Sequence, residues 1–222
     1  MELYVIISIK IIFKGFTMSE SINEKNLKEQ DKIKRFEKIK EEMINNGYKE
    51  NLGVITVVKA NIYALLTAGP IALICFFIYI NKWGSIVFEF TPATLMLFFI
   101  SIIACIVIHE LLHGLTWSLF CKEGFKSISF GIMWQSLTPY CHCKEPLNFK
   151  AYITGGLMPL LILGILLFII SFFMENSSLM ILSLINILCA GGDTTIALLL
   201  CKYKDALFID HPTDCGFVAF TK

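Results

Sequence analysis

Residues 95–120 read LMLFFISIIACIVIHELLHGLTWSLF, and this stretch decides what kind of molecule the chain makes. It is apolar over more than the about 20 residues, at 1.5 Å each, that a helix needs to cross a bilayer. Its only charged-type side chains are His109, Glu110 and His113. An ionisable group at mid-depth costs roughly 2.5–3.5 kcal/mol, so three of them within five positions require a reason beyond packing. In a soluble protein the same residues could be a polar helix edge with two satisfied histidines; in a spanning helix the solvation cost argues against that.

Three further segments repeat the pattern: Ala60–Ile80, Ala151–Met174 and Leu179–Leu200. The first two carry no charged residue and the last carries only Asp193. Over its 222 residues the chain is 56% hydrophobic and 17% charged, with mean hydropathy +0.69, against about 45–50% and 25% for soluble domains. This excludes a soluble globular domain, a disordered chain and a disulfide-stapled secreted module. A net charge of +1 gives no basic surface for nucleic acid. The prediction is an all-α polytopic membrane protein with four transmembrane helices, its membrane domain covering residues 60–200 and its partner the lipid bilayer.

Lysine placement predicts the orientation. The 81–94 connection holds only Lys82 and the 175–178 connection holds none, whereas Lys49, Lys59, Lys122, Lys126, Lys144, Lys150, Lys202 and Lys204 all lie at the other ends of the spans. Both termini and the 121–150 loop are therefore expected in the cytoplasm. Of the eight cysteines, Cys75, Cys105 and Cys189 lie inside spans and the other five at or beyond the cytoplasmic ends, so all read as reduced thiols.

Outside the spans, residues 1–17 read as an over-extended start or a short apolar segment. Residues 18–59 read as a cytoplasmic amphipathic helix and linker, with Ile33, Phe36, Met43 and Ile44 at helical spacing and Gly47 as the stop. In the central loop, Lys126–Trp134 and Leu137–Cys143 predict a small β-hairpin. The tail, 201–222, has strand-like sequence on both sides of a turn at His211–Gly216, where His211 beside Pro212 reads as structural.

The chemistry begins with His109-Glu110-Leu111-Leu112-His113. Two histidines four apart share one helix face and can hold one ion, while Glu110, displaced by about 100°, flanks the metal without ligating it. Zinc with three protein ligands and a water lowers that water's pKa towards about 7, and the neighbouring carboxylate can take its proton. Candidates for the third ligand are Glu123, Glu145, His142 and Asp193. Depth favours Asp193: it and His113 each lie seven residues, about 10 Å, from the cytoplasmic end of a span. Gly114, Gly191 and Gly192 would let the two helices approach. As alternatives, Asp193 could hydrogen-bond a ligand or make a structural polar contact. In Cys141-His142-Cys143 strand alternation sends His142 to the opposite face from the two thiols, a poor single-ion site, so the triplet reads as unliganded thiols in a cytoplasmic loop. A functional His142 would orient substrate or close over the zinc, and Asn186 is a further candidate to touch substrate or support the ligands.

With these residues in view, the chain resembles the site-2-protease type of intramembrane metalloprotease, and more closely a bacterial family of small membrane proteins catalogued as zincin peptidases. The resemblance covers about residues 50–220 and rests on His109–His113 paired with Gly191-Gly192-Asp193. It implies a three-helix catalytic core from the second, third and fourth spans, with zinc held by His109, His113 and Asp193 and Glu110 as general base. It places Gly155–Pro159 at the start of the middle core helix, and Leu137–Leu147 as the strand that presents an extended membrane-associated protein substrate. It also implies residence in the bacterial cell membrane. The sequence departs from site-2 proteases in having Cys189 after Asn186 where a proline is usual, and in placing its glycines before Asp193 rather than after it. A non-proteolytic metal-binding membrane protein (sensor, transporter or inactive scaffold) is the competing class. Against transport, the second span offers only Ser101 and Cys105 on the far side of His109.

Overall fold

The structure, a computed structural model, describes residues 30–88, 91–133 and 138–222. The apolar stretch before residue 18 and the turn of the central hairpin lie outside them. The chain divides into two compact units, one ending at Gly47 and the other running from Tyr48 to Lys222. In the first, helix α1 spans residues 30–45 and buries Phe36 and Met43, seven positions apart on one face. It ends at Gly47, whose φ of +82° suits a residue without a Cβ.

The second unit holds the remaining helices: α2 (Val57–Trp83), α3 (Pro92–Ser118), α4 (Phe149–Pro159), α5 (Leu167–Phe173), α6 (Ser177–Cys189) and α7 (Gly191–Leu200). Their starts are set by side-chain caps at Thr56, Thr91, Asn148 and Asn176. A π-helical stretch, Leu160–Leu166, joins α4 to α5, so Phe149–Phe173 is one continuous rod. Among the described residues, three helices are long and apolar enough to cross a membrane, Val58–Trp83, Pro92–Ser118 and Phe149–Phe173. Their outward faces carry large apolar side chains such as Leu65, Leu66, Phe77, Leu97, Phe99 and Ile103, each more than half exposed; in water such a surface would drive association.

The fourth predicted span is not one straight helix. It breaks at Ala190 and bends by 42° between α6 and α7, so that a new helix starts at Gly191, two residues before Asp193. Helix α2 buttresses α7: a Cβ on Gly191 would fall 2.6 Å from that of Ala64, and Thr67 Oγ1 lies 2.7 Å from Thr194 Oγ1 and donates to the Gly191 carbonyl at 3.2 Å.

All-α also proves too simple a description. The predicted hairpin is present as β2 (Ile128–Met133) and β3 (Thr138–Cys143), paired from Ile128 with Cys143 to Met133 with Thr138. Beside it stands a four-stranded antiparallel sheet, in the order β1-β6-β5-β4, formed by β1 (Lys49–Val54), β4 (Leu147–Asn148), β5 (Leu207–Asp210) and β6 (Gly216–Thr221). The tail strands match the sequence reading. The partner β1 falls in what reads as linker, because its pairing lies more than 160 positions away, Lys49 with Thr221. The turn between β5 and β6 is held by His211 Nδ1, which accepts from the Asp214 amide at 3.0 Å, in keeping with a structural histidine. All eight cysteines are free. Burial pushes the Cys141 and Cys143 thiols of β3 well above their ordinary range.

Candidate metal centre

Helix α3 puts His109 and His113 on one face, one turn apart, with Nε2 atoms 3.2 Å from each other. Asp193, in the first turn of α7, where the positive end of the helix dipole favours a carboxylate, meets both rings. Its Oδ2 lies 3.2 Å from His109 Nε2 and its Oδ1 3.4 Å from His113 Nε2. One ligand atom from each residue thus lies within 4.8 Å of the others.

The proton positions test whether an ion fits here. His113 Nδ1 lies 2.8 Å from the Gly155 carbonyl oxygen, which can only accept, so Nδ1 carries the hydrogen and Nε2 points its lone pair at Asp193. A lone pair facing a carboxylate is repulsive unless a proton or a cation sits between them. Asp193 Oδ2 is buried and, apart from the His109 ring 3.2 Å away, meets no donor, the only such buried side-chain nitrogen or oxygen among the described residues. Two imidazole nitrogens and one carboxylate oxygen, aimed at a common point and short of donors, form a donor set that suits zinc.

The second layer follows from local sequence. In a helix the Gly155 carbonyl would accept from the amide four residues on, which is Pro159 and has no N–H. The carbonyl is left to His113. A Cβ on Gly155 would overlap the Trp117 indole, so glycine is what lets α4 lie against α3. Trp117 stacks on the His113 ring, centroids 5.2 Å apart and planes 17° from parallel, and donates from Nε1 to the Tyr152 carbonyl at 3.0 Å.

Glu110 stands outside the three-residue cluster, and its carboxylate accepts a hydrogen bond from the backbone of Cys141. The hairpin reaches it because Gly114 gives room: a Cβ there would lie 2.6 Å from the Phe130 ring. The side chains of His109 and Asp193 keep 13% and 24% exposure, so the cluster is not fully enclosed by protein.

The other sequence candidates go elsewhere. His142 lies 3.6 Å from Asp210 Oδ2 rather than in the cluster. Asn186 donates to the Leu182 carbonyl of its own helix at 2.8 Å. Glu145 accepts from the Lys122 and Glu123 amides at 2.9 and 3.1 Å and from Ser127, and so closes the loop after α3. Sequence reasoning passed over Trp117, Tyr152 and Asp210. It noted Pro159 without seeing that its position, four after Gly155, frees a carbonyl.

The fold and the cluster together define a class: a largely helical protein with membrane-length helices and a two-histidine, one-aspartate ligand set built from separate helices. Comparison with known families agrees. Residues 102–208 match a family described as "Putative zincin peptidase", a zinc metallopeptidase by name, and the matched stretch contains His109, Glu110, His113 and Asp193. Searches of curated proteins and of solved structures returned no significant match.

Proposed function

We propose that the protein is a zinc-dependent, membrane-embedded endopeptidase that cuts membrane-associated proteins near the cytoplasmic face. The observation that carries the proposal is the convergence of His109, His113 and Asp193 around an unsatisfied carboxylate oxygen, with a carboxylate that is not a ligand beside it. In this reading α6 and α7 form one bent fourth span, and the lysine distribution sets both termini and the hairpin on the cytoplasmic side.

His109 and His113 would hold the ion through Nε2 and Asp193 through its carboxylate. When bound, zinc supplies Lewis acidity that polarises a carbonyl and makes water nucleophilic near neutral pH. The chain's own residues do the rest. Gly155 fixes the His113 tautomer through Nδ1. Glu110, oriented by the Cys141 amide, accepts a proton from the attacking water and returns it to the departing amine. An intact helix shields its own peptide bonds, so a substrate has to unwind. The two-stranded hairpin beside Glu110 offers backbone groups with which an extended segment can pair.

The test is Glu110→Gln in the full-length protein. The expected result is zinc content equal to wild type and loss of cleavage of membrane-anchored reporter proteins by at least about 100-fold. Undiminished cleavage would remove Glu110 from the role of base, and normal cellular function of a variant that no longer cleaves would favour a sensor or scaffold.

A further inference from the structure

Asp210 ends strand β5, opposite Phe217 in β6, two residues past the stretch that matches the peptidase family. Its carboxylate is only 13% exposed. Oδ2 accepts from the Cys143 amide of β3 at 2.7 Å and lies 3.6 Å from His142 Nδ1 of the same strand. Oδ1 accepts from the hydroxyl of Tyr152 on α4. From the tail sheet, a single largely buried carboxylate therefore bonds both the hairpin and the third apolar helix.

Each of the two elements it joins leads to the metal centre. Two residues before Cys143, the Cys141 backbone holds the Glu110 carboxylate. On the other side, the Tyr152 carbonyl accepts from Trp117, which stacks on His113, and three residues on the Gly155 carbonyl accepts from His113 Nδ1. Glu110 and His113 are thus supported by separate elements, each of which bonds Asp210. Charge-assisted bonds to a buried carboxylate are stronger than neutral ones, and its two oxygens let it hold both partners at once.

We propose that Asp210 is a positioning residue of this centre: it locks strand β3 to helix α4, and so fixes Glu110 in relation to His113. The role rests on the peptidase reading above for its catalytic consequence, while the lock itself does not. None of the three ligands is bonded to Asp210, so its loss leaves the ligand set in place and relaxes the base.

The experiment uses zinc-loaded, full-length protein in lipid nanodiscs and compares wild type with Asp210→Ala, Asp210→Asn and Tyr152→Phe. Amide hydrogen exchange over residues 138–148 should quicken by at least about tenfold in Asp210→Ala, with α2 and the zinc content unchanged. Turnover of a membrane-anchored reporter should fall at least about tenfold with KM within twofold. Asp210→Asn, whose amide oxygen still accepts from Cys143 and whose amino group can still bond the Tyr152 oxygen, should recover part of both. A merely structural role would lower zinc content and α2 protection in step with activity. Exchange over 138–148 within twofold of wild type in Asp210→Ala overturns the proposal, as does undiminished turnover. If the wild type holds zinc and cuts no reporter, the peptidase reading fails and the exchange measurement alone decides the lock. If Asp210→Ala does not fold, Asp210→Asn and Tyr152→Phe decide it by the same two readouts.

Discussion

Pro159 has the clearest single-residue consequence. It reaches the centre only by what it lacks, an N–H for the Gly155 carbonyl. Pro159→Ala restores a helical donor that competes with His113 Nδ1. Partners that orient a ligating histidine are worth 10–100-fold in metal affinity, and because a carbonyl has two lone pairs the loss should sit at the low end, about tenfold. Chelator competition measures it. The same change removes a helix-breaking residue, so thermal stability should hold or rise while zinc affinity falls, a divergence that a packing defect would not give. Residues of this kind also mark where sequence stops being legible. His109, Glu110, His113 and Asp193 stand out because charged groups in apolar runs are costly. Trp117, Tyr152 and Asp210 are ordinary residues in ordinary surroundings until the fold brings them together.

At the scale of elements, the apolar helices could be read from their length and apolarity, and α2, α3, α4 and α6 also from a capping residue. The hairpin followed from its alternation. Strand β1 could not be read, since Lys49–Val54 has weak strand character and its partner strand begins at Gly216. The break at Ala190 was also missed, because an apolar run looks the same whether straight or bent by 42°. The hairpin carries its own pH response. Cys141 and Cys143 stay protonated in the folded protein, their thiols raised by burial first and by the Asp210 carboxylate second. An unfolded chain ionises its thiols above about pH 8.5. The folded state therefore binds more protons there, and its stability, complete below that pH, falls as pH rises, by on the order of 1 kcal/mol per pH unit for the fully buried Cys143. Thermal midpoints in detergent from pH 7.5 to 10 should decline, with a shallower slope in Cys143→Ala.

At the scale of the whole molecule, the arrangement joins two solvents. Apolar helix faces suited to lipid surround a polar cluster, and the two small sheets lie at the end of the helices where that cluster opens. The sheets are more than a cap: through β3 and β5 they reach both the base and a ligand-bearing neighbour. The proposed function depends on an ion that His109, His113 and Asp193 would hold between α3 and α7. The direct measurement is metal analysis of purified full-length wild type beside His109→Ala, His113→Ala, Asp193→Ala and Glu110→Gln. About one zinc per chain in wild type and Glu110→Gln, with loss in the other three, is the expected pattern. Full zinc retention by Asp193→Ala would contradict the account.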